Sequence, residues 1–229
     1  MRQNRVVATT EASGEITPDP SAKTERIHLD ETSWVDVTRG WLQGSAELFE
    51  ELRSGVSWQP SRLFRYDHWV EERRLGSFWS RGNPLPHASL APVHKTLERA
   101  HSVQFNGFGM IHYRDGEDGQ AFHRDTDMRW LDDTVIAVLT LGAQRPWLLR
   151  PRTAKFEHGP GRGATHDLSP GPGDLIVMGG RCQADWQHSV QYQRRRLVGT
   201  RISLQWRHAR RTGKPFQGAS SRAPLTYSP

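Results

Sequence analysis

A single cysteine, Cys182, stands among 229 residues, so no internal disulfide can form. Apolar residues make up only 35% of the chain, mean hydropathy is -0.72, and no apolar run approaches the roughly 20 residues needed to cross a bilayer. Two arginines lie in the first seven residues with no apolar stretch behind them, which predicts neither a secretory signal nor a membrane anchor. These absences together predict a reducing, cytoplasmic setting and no membrane partner. Bulk is supplied instead by nine Trp, eight Phe and four Tyr, enough for the core of one domain. Charge of either sign is plentiful, at 31 Lys and Arg against 25 Asp and Glu, but it is unevenly placed. Residues 1–55 hold six basic and ten acidic side chains, a net of -4, so the remainder carries +10. A basic body suits a polyanionic partner, and an Arg-rich solvated surface gives the same totals.

Residues 1–30 are rich in Thr, Ser, Glu, Asp and Pro with few apolar groups, the composition of a disordered leader. Residues 31–101 read as a helical N-terminal part that includes a substrate lid. Leu48, Phe49 and Leu52 share one face of a helix opening at Ser45, a plausible N-cap, and stopping at Gly55. Leu90, Val93, Leu97 and Ala100 mark a second helix to His101, with Pro92 in its first turn. Beyond residue 102 come short β-prone runs punctuated by Gly, Pro and Asp: 103–113, 135–141, 147–150, 174–178 and 200–207. Mainly β structure with flanking helices, and a jelly-roll core over 102–208, is the fold class this pattern predicts. Residues 209–229 read as a loose basic tail.

Phe122-His123-Arg124-Asp125 sets an imidazole and a carboxylate two residues apart, on one face of an extended chain. The spacing alone does not decide, because His28-Leu29-Asp30 repeats it. His123 and Asp125, however, are followed by strand-like segments and by His188, 63 positions after Asp125. Two histidines and one carboxylate form a facial triad, which leaves three positions of an octahedral Fe(II) open to co-substrate and O2. Structural zinc more often takes a closed tetrahedral set. Thirteen residues past His188, the segment from Arg201 to Arg207 alternates strictly, so Arg201, Ser203, Gln205 and Arg207 share one face and Ile202, Leu204 and Trp206 the other. A guanidinium fork is the natural clamp for a dicarboxylate, and an amphipathic strand with solvated charges is the plainer alternative.

His123-x-Asp125, His188 and Arg201-x5-Arg207 resemble the HxD…H…RxxxxxR pattern of the AlkB family of 2-oxoglutarate dioxygenases. The resemblance covers residues 58–208 and includes Tyr113-Arg114-Asp115-Gly116, Gly173-Asp174-Leu175 and Trp186-Gln187-His188-Ser189. It implies a double-stranded β-helix with Fe(II) held by His123, Asp125 and His188. It further implies 2-oxoglutarate bound by Tyr113, Arg201 and Arg207, with Arg201 on the distal carboxylate and Arg207 supporting the carboxylate near the metal. Family members oxidise N-methyl groups on bases; the hydroxymethyl product leaves as formaldehyde, and the co-substrate as succinate and CO2. One departure is Ile111, where the family usually has Asn, which predicts the loss of one hydrogen bond to the co-substrate, on the order of 1 kcal/mol.

A damaged base must leave its stack to reach iron, so aromatic side chains should line the pocket. Among Trp58, Trp69, Trp79 and Trp130, the polar surroundings of Trp69 and Trp79 single these two out as substrate contacts from a surface loop. Asp127 would share the face of Asp125 if the strand continues, and the family pattern puts a base-contacting acid there. Arg150, and the runs 194–196 and 210–211, are candidate phosphate contacts. The expected partner is nucleic acid, single-stranded or with a flipped base, such as one carrying 1-methyladenine or 3-methylcytosine, engaged by a monomer. Two alternatives are the same chemistry on a protein or small molecule, and a non-catalytic basic barrel that binds nucleic acid.

Overall fold

The computed structural model describes residues 15–65, 68–152 and 164–216, with the backbone alone at 61–65 and Asp127. The element order is β1 (Thr17–Pro18), β2 (Thr24–His28), β3 (Ser33–Thr38), β4 (Leu42–Gln43), α1 (Ser45–Gly55), β5 (Gln59–Arg65), β6 (His68–Ser80) and α2 (Leu90–His101). Then follow β7 (Gly107–Tyr113), β8 (Gln120–His123), a 3-10 turn (Thr126–Met128), β9 (Thr134–Gly142), β10 (Trp147–Pro151) and β11 (His166–Asp167). Last come β12 (Leu175–Gly180), α3 (Cys182–Asp185), β13 (Trp186–Val190) and β14 (Arg201–Ala209).

Eight strands form one antiparallel sheet in the order β2-β3-β12-β9-β14-β7-β6-β5, and four form a second, β11-β10-β13-β8. Period-two alternation sends the two faces of the large sheet into different cores. Val135, Ala137, Leu139 and Leu141 of β9, with Leu175 and Val177 of β12 and Ile202, Leu204 and Trp206 of β14, pack beneath α1 and α2. Ile136, Val138, Ile176 and Met178 point the other way, onto Trp147 and Leu149 of the small sheet. The result is a jelly roll with helices on the outside of its larger sheet.

Both expected helices form. Ser45 is the first residue of α1 and not its cap; Gly44 takes that place in the left-handed conformation (φ 65°), and no side chain caps the helix. Three expectations are corrected. Residues 15–30 are not a leader without structure: β2 pairs with β3, Arg26 makes a two-pronged ion pair with Asp36, and Ile27 packs on the inter-sheet core. Its polarity is that of an exposed edge strand, which looks like disorder in composition. The 31–101 part holds more strand than helix, because β5 and β6 form a polar ribbon that joins the large sheet through β7. Residues 209–216 are docked, as described further below. Residues 1–14 and 217–229 lie outside the described residues.

Asp30, in the β2–β3 turn, accepts hydrogen bonds from Trp186 Nε1 (2.7 Å) and from the backbone N–H of Thr32 and Ser33. It thereby ties the N-terminal hairpin to the start of β13. Partial burial would raise the Asp30 carboxyl, but the hydrogen bonds from Trp186, Thr32 and Ser33 outweigh it and bring the carboxyl down to about 2. A depressed carboxyl stabilises the fold above its unfolded value of 3.8, and that contribution is lost as pH falls toward 2. Asp30→Asn is therefore expected to lower the thermal midpoint at pH 7 by a few degrees, equivalent to about 1 kcal/mol. The gap between variant and parent in melting curves should close as pH approaches 2.

Candidate active site between the two sheets

β8 delivers His123 as its last residue, and the chain turns at Asp125 (φ -80°, ψ 80°) into the 3-10 turn. His188 stands beside His123 because the two are register partners across β13 and β8. Their rings are 4.2 Å apart, and His188 stacks on buried Trp147 at 5.3 Å. The ligand atoms of His123, Asp125 and His188 lie within 4.8 Å of one another. Asp125 Oδ1 is 3.4 Å from His123 Nε2 and 4.0 Å from His188 Nε2. Two adjacent ligands on a first-row metal, with bonds of about 2.1 Å, stand about 3 Å apart, so these atoms fit one ion with little movement.

The surrounding groups fix which atoms face inward. His123 Nδ1 is 2.9 Å from the Ala121 carbonyl, an arrangement that places the proton on Nδ1 and leaves the Nε2 lone pair free. Arg207 Nε donates to Asp125 Oδ2 at 2.8 Å, leaving Oδ1 toward the histidines. Buried Gln183 accepts the Asp125 backbone N–H at 2.9 Å through its side-chain oxygen. Burial would raise the Asp125 carboxyl, yet the Arg207 guanidinium beside it holds it well below the usual carboxylate range. Burial, aided by the His123 and Arg207 charges against the pull of Asp125, pushes His188 down to about 3. At neutral pH the set thus presents an ionised carboxylate and a neutral His188, the forms that bind metal.

Arg201 is fully buried, where burial lowers its pKa to about 10. Its Nε donates to Ser203 Oγ (3.1 Å) and its Nη2 to Thr140 Oγ1 (3.0 Å), while buried Nη1 has no partner. Register sets Tyr113 beside it on β7. Tyr113 is buried close to three guanidinia: its register partner Arg201, Arg145 above its ring, and Arg74 of β6. Arg74 pairs with Glu72; neither Arg145 nor Arg201 has a carboxylate within ion-pair distance among the described residues. Such an electropositive pocket with an unused buried donor fits an anionic, carboxylate-bearing molecule.

The proposed substrate contacts fare differently. Trp79 faces the helices and not the pocket: it stacks on Phe108 at 5.1 Å and donates Nε1–H to the Asn83 carbonyl. Trp69 is part of a strand and not a loop; it pairs with Phe64 where the β5–β6 ribbon runs past the end of β7. The strand does not continue to Asp127, which falls in the 3-10 turn, so the face-sharing argument for it fails. Arg150 is opposite Gln187 on the reverse face of the small sheet from His188, with its guanidinium 3.7 Å from the Phe122 ring. In the 194–196 run, Arg194 pairs with Glu117 and covers Tyr192. Ile111 packs against the inter-sheet core, and the buried Arg74 enters from β6 close to Tyr113.

Three site residues escaped the sequence reading: Gln183, Arg74 and Phe78. Phe78 is 43% exposed, next to Trp79 and so on the opposite face of β6, the face that carries Tyr113 and Arg201 on neighbouring strands. Its register partner Gly109 has open space where a Cβ would stand. The signal was the alternation Glu72-x-Arg74-x-Gly76-x-Phe78, legible only once 68–80 is taken as a strand.

The sequence matches the family described as the 2OG-Fe(II) oxygenase superfamily over residues 68–207. Among curated proteins it is 30% identical over 176 residues to a mouse (Mus musculus) alpha-ketoglutarate-dependent dioxygenase alkB homolog 3, covering 72% of this chain and 57% of that protein. It is 27% identical over 176 residues to a cattle (Bos taurus) DNA oxidative demethylase ALKBH2, covering 70% and 63%. The chain spans less than two thirds of the length of these relatives. A prolyl hydroxylase from Trichoplax adhaerens, solved in complex with a peptide fragment, shares the fold with TM-score 0.56 at 14% identity, covering 76% of this chain and 82% of that one. No helix among the described residues is long and apolar enough to cross a membrane.

If the buried Arg201 fork receives a carboxylate, 2-oxoglutarate will raise the melting temperature of the metal-free protein. About 2.7 kcal/mol is expected at a hundredfold excess over Kd. Arg201→Met should abolish that shift in a thermal-denaturation assay, and a shift that persists in the variant would place the dicarboxylate elsewhere.

Proposed function

Since this chain belongs to the 2OG-Fe(II) oxygenase superfamily, within its AlkB family, we propose that it is an Fe(II)- and 2-oxoglutarate-dependent dioxygenase that removes N-alkyl groups from nucleic-acid bases. The observation that carries the reading is the convergence of His123, Asp125 and His188 beside the buried Arg201 pocket. His123 Nε2, His188 Nε2 and Asp125 Oδ1 would hold the metal. Arg207 and Gln183 keep the carboxylate aimed, one through Oδ2 and the other through the backbone N–H. Arg201 would receive the distal carboxylate of the co-substrate, with Tyr113 and Arg74 lining the same side. Bound there, Fe(II) with 2-oxoglutarate and O2 supplies the power to insert one oxygen atom into a C–H bond of an N-methyl group. The hydroxymethyl product then releases formaldehyde, and the co-substrate ends as succinate and CO2.

The nucleic-acid substrate is supported by the names of the curated relatives, among them a DNA oxidative demethylase, and by the +10 net charge of the chain beyond residue 55. In place of Trp79, Phe78 is the aromatic surface against which a flipped, planar base would stack, as a monomer of this chain engages a single-stranded or locally opened site. An aromatic stack of this kind is worth about 1–3 kcal/mol per base.

Succinate and formaldehyde release from purified protein with Fe(II), ascorbate and 2-oxoglutarate, with and without a 3-methylcytosine oligonucleotide at low salt, tests both halves. Strand-stimulated release of both products is expected, and His123→Ala or Asp125→Ala should abolish it. Turnover of 2-oxoglutarate indifferent to the strand would shift the substrate to a protein or small molecule; no turnover would favour a barrel that only binds. Phe78→Ala should lower kcat/KM for the strand by about tenfold. Trp79→Ala should act chiefly through stability, as loss of a half-buried indole does.

A further inference from the structure

The chain does not leave the domain after β14. The Arg210 N–H donates to the Asp133 carbonyl (2.9 Å) and the Phe216 N–H to the Arg129 carbonyl (2.5 Å). Between them Gly213, at φ +71°, lies so close to Asp132 that a Cβ would fall 2.0 Å from its carboxylate. Residues 210–216 thus form a strap laid along 124–133, the stretch that directly follows His123 in the HxD motif. Phe216 covers the Arg124 guanidinium at 5.0 Å, and Arg124 in turn donates to the carbonyls of Gln183 and Ala184. Trp130 has Arg129 on its ring at 5.7 Å and Arg211 at 5.3 Å.

Among the described residues, ion pairs account for only some of the cations here. Arg181 is paired with Asp132 and Asp185, and Arg210 with Asp133. Arg124, Arg129, Arg152 and Arg211 have no carboxylate within ion-pair distance among the described residues. Gathering cations this way is unfavourable unless an anion joins them. Guanidinia interleaved with aromatic rings are also the composition of a single-strand binding surface, where cations meet phosphates and rings meet bases. At most about 14 Å of chain separates Asp125 from Arg129, so a strand with one base at the metal site passes within reach.

We propose that the strap and the loop it holds, with Arg129, Trp130 and Arg211 at the exposed edge, bind the nucleic-acid strand that flanks the target base. This rests on the nucleic-acid reading above. It assigns the 210–216 segment to substrate binding, and it makes strand length, and not only the lesion, a determinant of efficiency.

The test compares kcat/KM for a strand of about 20 nucleotides carrying one 3-methylcytosine with that for 3-methylcytidine monophosphate, which has no flanking strand, across a range of salt. Arg211→Ala and Arg129→Ala in the full chain should each lower the strand-to-mononucleotide ratio about fivefold or more, and reduce the salt slope for the strand by about 0.7. Arg211→Lys should retain the slope. Trp130→Ala should lower the ratio and leave the slope in place. Equal losses on both substrates, or no change in the ratio, would overturn the proposal, the former by showing a mere prop for the metal-bearing loop. If the unsubstituted protein turns over 2-oxoglutarate but ignores both nucleotides, the nucleic-acid reading itself fails, and it does so before any variant is made.

Discussion

Everything in this domain depends on the strict alternation of β14. It lies between β9 and β7 in the large sheet, so its two faces are committed to different environments at once. Ile202, Leu204 and Trp206 close the core beneath the helices, while Arg201, Ser203 and Arg207 reach the site. A slip of one residue would bury two arginines under the helices and turn a Trp into the pocket. Core and chemistry are therefore secured by one register, and the stability of the apolar face is what holds the guanidinia in place. Truncating a side chain such as Trp206, fully buried against Phe108, costs about 3–5 kcal/mol in comparable cores.

The site itself is organised around charge held out of water. An ionised Asp125 is kept in a buried position by the Arg207 guanidinium, and Gln183 fixes its backbone. Arg201, Arg145 and Arg74 surround one phenol at the other end of the pocket. Buried charge of this kind does little for stability, since desolvation offsets most of the attraction. Its retention makes sense as preorganisation: donors already aimed, with their own positions locked by hydroxyls and carbonyls, lose little freedom when a ligand arrives.

What could be read from the chain alone follows from how local the signal is. His123-x-Asp125, the Arg201-x5-Arg207 spacing and the α2 stripe are local signals: β14 alternates as expected, Leu90, Val93 and Leu97 are buried on α2 while Ala100 is exposed, and Asp125 joins His123 from the turn just past β8. The Phe78 face was missed, and Trp69 and Trp79 were read as loop residues, because β6 carries polar residues on both sides and its pairing partner β7 lies about thirty residues on in the sequence. No local period marks such a ribbon. The face-sharing argument for Asp127 failed for the opposite reason: the period of two was carried on past His123, where the strand ends. The N-terminal hairpin was hidden by composition, since an exposed edge strand and an unstructured segment draw on the same residues.

The order of strands has a consequence for synthesis. β14 is the last strand among the described residues, yet it fills the middle of the large sheet. Until it emerges from the ribosome, β9 and β7 each present a bare edge, and the helices have only part of the apolar floor they pack on. Such a nascent chain has two open templates for intermolecular pairing. Insertion of a central strand from far along the chain also makes closure dependent on long-range contacts, which slows folding. The segment that delivers the guanidinia is thus also the one whose arrival completes the sheet, so a chain stalled short of it is at once inactive and sticky.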